Sequence, residues 1–442
     1  MENAGTRVQL LNSAPFRAGA GYVLYWAQVN RRATWNHGLA YAVDLANQAG
    51  LPVLFYEGLT CDYPYASDRL DAFILEGVPD TRRELRRLGI GYQFYHRRSR
   101  NDPNDILYRL AKDAAALVTD QYPLFPAQRY NASVPGKIGI PYYAVDSSCI
   151  VPMSRFDKRE YAAYTIRPKI KKLLPEYLRP LPAMRVRHKF PGNTPRFDPS
   201  ASAGVSGFRG GAVAAHQRLR HFLKHNLHRY ASFSNQPSEN ATSGLSPYLH
   251  FGHISSLEIA LAVQDYAREH KLLPDEFVEE LIVRRELAFN FARFTEHPDS
   301  LNALPDWARK TLAKHVSDRR GHIYSRDQFE NAQTHDPLWN AAQRELLVTG
   351  KIHGYYRMYW GKKIIEWSRT TAEALATALY LNDRYALDGR DPNSCTNILW
   401  CFGLHDRPWA ERPIFGQVRY MSYEGMRRKT DVDAYIRSLE CL

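Results

Sequence analysis

The chain has no uncharged apolar run of the ~18 residues that a membrane-spanning helix needs. Its opening stretch, MENAGTRVQLLNSAPFRAGAG, carries too short an apolar patch for a secretory signal. Cysteine is scarce: Cys61, Cys149, Cys395, Cys401 and Cys441 make an odd set with no CxxC pair. That usage fits free thiols in a reducing compartment better than a disulfide framework or a zinc site. The G-x-G-x-x-G fingerprint, the Walker loop, H-E-x-x-H and the G-x-S-x-G elbow are all missing. His250 and His253 stand close together without a cluster of further ligands, so no metal site is expected. Any chemistry must therefore come from a bound cofactor, or there is none. A cytoplasmic location is the expectation.

What is abundant points elsewhere. The 442 residues exceed one ordinary domain, so two are expected. The net charge of +13 suits a polyanionic partner, nucleic acid being the usual one. A basic surface also serves solubility alone. With 28 Tyr and 8 Trp, the chain has rings to stack on bases or a planar cofactor, or simply to fill cores.

Short apolar runs alternate with helical stretches in the first third. GYVLYWA (21–27), LPVLFYEGL (51–59), IGYQFYH and AALVTD read as strands. HGLAYAVDLANQAG reads as a helix capped by Gly50, and ASDRLDAFILEGVPDTRRELRRLG and NDILYRLAKDA also read as helical. Alternation of this kind predicts a Rossmann-like parallel α/β sheet with ligand space beyond the strand carboxyl ends. Residues 151–211 are rich in Pro, Gly and basic side chains, as a connector would be. Beyond 212 nearly everything reads as helix, FVEELIVRRELAFNFARF (277–294) included. The expected plan is an α/β domain over 1–155, a linker over 156–211 and an all-helical domain over 212–442.

Five segments stand out for chemistry. ATSGLSPYLHFGHIS places Thr242, Ser243 and Ser246 around Gly244 before an apolar stretch, which makes either a helix cap or a phosphate cradle. In EELIVRREL, Glu280 and Arg284 are four apart and can pair on one helix face. YLNDRYALDGRDPN puts Asn382, Asp388 and Asp391 between helices, as turn formers or as partners for the polar edge of a heterocycle. LWCFGLHDRPWAERPIFGQVRYMSYEGMRRK mixes Trp400, Trp409, Phe415 and Tyr420 with many arginines, suiting unstacked bases and phosphates or an ordinary charged loop. In KIHGYYRMYWGKKIIEW, Trp360 and Trp367 are seven apart, on nearly one helix face about 10 Å apart along the axis. Core packing is the usual use of such a pair.

Together with EYAAYTIRPKI and PDWARKTL, these segments occur in the order found in class II cyclobutane pyrimidine dimer photolyases, which the chain resembles densely from about residue 158 onward. The resemblance implies an FAD-binding helical domain and light-driven repair of pyrimidine dimers in UV-damaged DNA by a monomer. The cofactor acts in its two-electron-reduced form. An antenna chromophore of unknown identity is possible in the N-terminal domain. Cofactor contacts implied by the family fall on Tyr230, Thr242, Ser243, Gly244, Leu245, Ser246, Arg357, Asn382 and Asp388. Asn382 matches the asparagine beside flavin N5, and Arg357 with Asp388 matches an ion pair along the ring. Glu280, Met358 and Trp400 match contacts to the flipped dimer, while Asp406, Arg407, Trp409 and Arg419 match residues that fill and clamp the vacated duplex. Trp339, Trp360 and Trp367 match tryptophans that relay electrons to photoexcited oxidised FAD.

The chain departs from the family pattern in four places. Ser394 and Cys395 replace a glycine and an aromatic, and Asn397 stands where glycine is common. The loop from Trp400 to His405 is a residue short, and Phe289 replaces an aspartate. These positions keep two alternatives open: a cryptochrome-like photoreceptor, and a photolyase for a different lesion.

Overall fold

A computed structural model describes residues 4–192 and 207–440. The part of the expected linker from 193 to 206 lies outside the described residues. Six strands form one sheet: β1 (Val8–Leu10), β2 (Tyr22–Ala27), β3 (Val53–Thr60), β4 (Gly91–Arg97), β5 (Ala114–Asp120) and β6 (Tyr142–Val145). Their order is β1-β6-β5-β2-β3-β4, parallel throughout except that β1 runs antiparallel to β6. β2 and β5 are buried along nearly their whole length, so they read as continuous apolar runs. The edge strand β1 and its neighbour β6 were not expected. At three and four residues, they are too short to carry a pattern.

Helix α1 (His37–Ala49) starts where the Asn36 side chain accepts the Leu39 N–H and ends at Gly50 with φ 69°. The missing glycine fingerprint has a structural counterpart at the end of β2. There the Asp120 carboxylate, from β5, accepts the backbone N–H groups of Gln28, Val29 and Asn30 at 3.0, 2.8 and 2.9 Å. The N–H cluster that a dinucleotide phosphate would occupy in a Rossmann fold is already taken by a side chain.

One stretch expected to be a continuous helix is broken, and one expected linker is helical. Residues 68–88 form α2 (Asp68–Leu75) and α3 (Val78–Leu88), separated at Gly77. A Cβ on Gly77 would lie 2.8 Å from His253 Nε2 and 3.1 Å from the Gly211 Cα, so the break lets the helical part approach the chain closely. The expected linker contains a 15-residue helix, α4 (Ala163–Tyr177), which spans Pro168 and Pro175. It buries Ile166, Ile170 and Tyr177 against Phe222, Ile259 and Ile282, and that apolar spacing outweighs the two prolines.

The remainder is helical: α5 (Ser246–His250), α6 (Arg285–Arg293), α7 (Pro337–Thr349), α8 (Gly354–Trp367), α9 (Thr371–Tyr385) and α10 (Pro392–Trp400) carry the features discussed below. Polar groups stitch the two parts together. Glu286 accepts the N–H groups of Ile150 and Val151, and Arg285 donates to the Ser148 carbonyl. Gly252, at φ 68°, lies so close to Val29 that a Cβ would sit 2.1 Å from its carbonyl oxygen. Among the described residues no helix is long and apolar enough to cross a membrane, and no cluster of metal-ligating side chains occurs.

Candidate active site

A cavity of about 210 Å³ opens in the helical part between α5, the turn at 279–284, α8 and α10. Ser243, Leu245 and Ser246 form one wall, Glu280 and Arg285 another, and Arg357, Asp388, Asp391, Asn393, Ser394 and Asn397 the rest. At its back, Arg357 Nη2 lies 2.9 Å from Asp388 Oδ1. Lys351 Nζ lies 3.3 Å from Asp388 Oδ2, and the Ser246 hydroxyl donates to the same oxygen at 2.7 Å. Burial alone would raise the Asp388 pKa, but the charges of Arg357 and Lys351 reverse this and hold it far below the usual carboxylate range. Burial lowers the Lys351 pKa, with Asp388 opposing. Two cations and one carboxylate give this cluster one positive charge in excess, while Glu280, Asp391 and Arg285 charge the rest of the lining.

The expected ligand contacts divide. Ser243, Leu245, Ser246, Arg357 and Asp388 line the cavity, and Gly244 adopts φ 65° in the turn between the two serines. Thr242 meets Asn226 through its carbonyl, and Tyr230 packs edge-on to Phe277 (5.3 Å) behind the wall. Asn382 was expected between helices. It belongs instead to the last turn of α9, one layer back, where its amide donates to Asp383 at 2.8 Å and to the Ser394 hydroxyl at 2.6 Å. Asp391 is a cap as foreseen, accepting the Asn393 N–H at 2.9 Å.

The Glu280–Arg284 pair does not form. Residues Glu279–Arg284 are a π-helical turn, in which residues five apart meet. Arg284 Nε therefore sits 3.4 Å from Glu279 Oε1, and Arg167 holds the same carboxylate at 2.7 Å. Glu280 is thereby released to the exposed rim of the cavity. Lost hydration raises its pKa, with Arg284 opposing.

Beyond the cavity, aromatic and cationic side chains interleave. The Arg419 guanidinium lies 5.6 Å from the Trp400 ring and 4.4 Å from the Trp409 ring, and Arg407 lies 4.9 Å from Trp409. Asp406 accepts the Trp409 indole N–H at 3.3 Å. Trp400 and Met358 are both half-buried, and the Cys401 thiol links their segments by donating to the Met358 carbonyl at 3.8 Å. A fully buried lysine, Lys362, supports Trp400 from behind at 5.1 Å and donates to the Cys401 carbonyl. Burial lowers its pKa to about 8.

Trp360 and Trp367 do not touch through their shared helix face. Trp339, on α7, stands between them, parallel to Trp360 (6.3 Å, 3°) and edge-on to Trp367 (6.3 Å, 67°). Its indole N–H donates to the Trp360 carbonyl at 3.0 Å, and the Trp360 indole donates to Gln343 at 2.9 Å. All three indoles are buried.

The atypical residues are accommodated locally. Ser394 takes the Asn382 amide, and the Cys395 thiol, its pKa raised by burial, donates to the Pro298 carbonyl at 2.8 Å. Asn397 is exposed on the cavity wall. Phe289 packs edge-on to Tyr122 (5.4 Å) and under the Arg285 guanidinium (4.4 Å), which turns an acidic position into apolar filling at the seam with the sheet domain.

A family model, DNA photolyase, matches residues 23–186. The deoxyribodipyrimidine photo-lyase of Methanothermobacter thermautotrophicus is 43% identical over 440 residues, covering 97% of each chain. The chain belongs to the DNA photolyase family. Among solved structures, a class III photolyase from Agrobacterium tumefaciens matches with a TM-score of 0.71 at 18% identity, over 96% of this chain and 87% of that one. A Sulfolobus tokodaii photolyase solved with two FAD molecules matches at 0.66 and 18%, over 94% and 89%. These two establish the fold shared from sheet to helical domain. Lys351, Arg285 and Lys362 were not foreseen as site residues. Lys351 lies inside a segment singled out for its aromatics, and only folding brings it to Asp388, 37 positions away.

Proposed function

We propose that this photolyase uses bound FAD and light to reverse cyclobutane pyrimidine dimers in DNA. One observation carries the reading: a cavity backed by the Arg357–Asp388–Lys351 cluster opens beside the Trp400–Trp409–Arg419 face and connects, through α8, to three packed indoles. The residues fit the cofactor. The excess cation at Arg357, Lys351 and Asp388 favours an anionic ring. Ser243 and Ser246, with the bare backbone at Gly244, suit phosphate oxygens. The enclosed space is smaller than the ~300–1,000 Å³ usual for ligand pockets, so a dinucleotide would extend out through the mouth beside the serines. When bound and reduced, FAD supplies the excited-state electron that splits the cyclobutane ring and takes it back afterwards.

The protein's own groups do the rest. Trp400 and Met358 offer apolar surface to an extruded dimer, a lesion that unstacks at low cost because it is already poorly paired. Glu280, unpaired at the rim and raised in pKa, is placed to hydrogen-bond a pyrimidine edge. Arg407, Trp409 and Arg419 hold the duplex that the dimer leaves. Trp360, Trp339 and Trp367 pass electrons inward to restore the reduced cofactor.

An antenna site is also proposed. A cavity of about 550 Å³ beyond the carboxyl ends of β2 and β3 is walled by Trp26, Tyr56, Tyr95 and Tyr130, with Arg97, Arg129 and Lys137 around it. Rings and cations together suit a planar chromophore bearing acidic groups. The test of the repair function is a dimer-containing oligonucleotide given to photoreduced protein in blue light and in darkness. Intact thymines should return only in the light. Their failure to do so, with FAD bound and reduced, would overturn the reading.

A further inference from the structure

Trp409 and Arg419 stand on the two arms of one turn. The Trp409 N–H donates to the Gln417 carbonyl at 2.8 Å, which ties the arms together. Between them, Arg412 and Gly416 exchange both backbone hydrogen bonds, at 2.9 and 2.8 Å. Ile414, at the tip, has φ 70°, a left-handed conformation that a β-branched residue keeps only where its surroundings hold it. The holding groups belong to the helix Asp306–Lys314 and the residues just after it. Thr311 Oγ1 accepts the Gln417 N–H at 2.9 Å, and Asp318 Oδ2 accepts the Ile414 N–H at 2.8 Å. Gly416 lies so near that a Cβ would fall 2.0 Å from Thr311 Oγ1. His315 joins these anchors. Its Nδ1 lies 2.6 Å from Asp318 Oδ2, and its Nε2 lies 2.8 Å from Glu411 Oε1. Lys314 Nζ reaches the same Glu411 oxygen at 2.7 Å. Carboxylates only accept, so both ring nitrogens donate, and neither neutral tautomer satisfies both contacts. The carboxyls stay ionised. The Ile414 N–H and His315 hold Asp318 below its usual range, and Lys314 and His315 do the same for Glu411.

We infer that His315 is a positioning residue for the duplex clamp: as an imidazolium bridging Asp318 and Glu411, it fixes the turn that presents Trp409 and Arg419 to DNA. The inference rests on the reading of those two residues as duplex contacts. A neutral imidazole has one N–H, so losing the proton turns a lone pair toward one of the two carboxylates and releases that side of the turn. A turn fixed in advance costs little ordering when DNA binds. The charged groups around the ring are Asp318 and Glu411 in contact and, beyond them, Lys314 and Arg320. Asp318, and then Glu411, raise the His315 pKa above the ordinary imidazole value near ~6.5. The contribution of the imidazolium is therefore complete below ~6.5 and is lost as pH rises through the raised folded value. His315 is half-buried and Glu411 is exposed, which keeps the effect modest.

The test is fluorescence anisotropy of FAD-loaded protein with a dimer-containing duplex, read between pH ~6 and pH ~9. Parent affinity should fall about five-fold across that range, the size of one partly exposed salt link. His315→Gln should bind about five-fold more weakly than the parent at the acid end and should lose the fall. His315→Arg, charged throughout, should bind like the parent in acid and stay there as pH rises. Nuclear magnetic resonance on protein carrying isotope-labelled histidine should show one imidazole, missing from His315→Gln, with both nitrogens protonated at pH 7. Flavin absorbance and melting temperature report that each variant is folded. A His315→Gln curve parallel to the parent's, or a His315 ring that is neutral at pH 7, overturns the assignment. Arg419→Ala is the control: if it binds the duplex as tightly as the parent, the clamp itself is misread, which is a different failure.

Discussion

Asp388→Asn removes the one anion that two buried cations share, and its cost can be worked from the geometry. At an effective dielectric constant of about 20, a unit pair near 3 Å attracts by roughly 5 kcal/mol, but desolvation consumes most of this. Breaking a buried pair by deleting one partner costs about 3–5 kcal/mol. The Ser246 hydroxyl, 2.6 Å from Lys351 Nζ, remains as a partner for that cation, which places the expected loss at the low end, about 3 kcal/mol. At roughly 2 °C per kcal/mol for a chain of this size, flavin-free protein should melt about 6 °C lower at pH 7. The pH dependence has a fixed sign. The folded-state pKa of Asp388 is depressed, so its contribution is present above the ordinary carboxylate pKa near ~3.9 and fades as pH falls toward the folded value. Parent and variant should therefore converge in acid. Scanning calorimetry at pH 7 and at pH values stepped down below ~3.9, with retention of FAD on gel filtration, measures both. Equal melting temperatures at pH 7 would show that the carboxylate does not hold this floor together.

Three further outcomes are expected. Glu286 is fully buried, and burial pushes its pKa up to about 8, above the unfolded value near ~4.3. Its contribution is complete below ~4.3 and lost as pH rises to about 8, at most about 5 kcal/mol; Glu286→Gln should flatten this slope and raise the melting temperature at pH 8, as calorimetry against pH would show. Glu280→Gln should lower repair per photon several-fold without changing the flavin spectrum, checked by quantum yield. Arg419→Ala should weaken duplex binding and reduce the salt slope by about one phosphate contact, measured by anisotropy across salt concentrations.

Much of the architecture is legible in the sequence because two periodicities report it. The near-continuous apolar runs of β2 and β5 announce buried parallel strands, and Gly50 marks the end of α1. The short edge β1, the break at Gly77 and the helix Ala163–Tyr177 are set by tertiary contacts that no local pattern carries. At the site, the chain-order motifs identify Ser246, Arg357 and Asp388, which indeed meet. The π-helical turn is what sequence spacing misses. It moves Arg284 from Glu280 to Glu279 and leaves the first carboxylate open to a ligand. Lys351, Trp339's position between its neighbours and the His315–Glu411 link depend on contacts between segments 21 to 96 positions apart, beyond the reach of any local signal.

The central claim is that light returns intact pyrimidines with no net change in the cofactor. The most direct measurement counts thymines restored per bound FAD in photoreduced protein under blue light, while the flavin spectrum is followed. The account predicts many thymines per FAD with the reduced spectrum unchanged. One or fewer per FAD, with the flavin left oxidised, would contradict it.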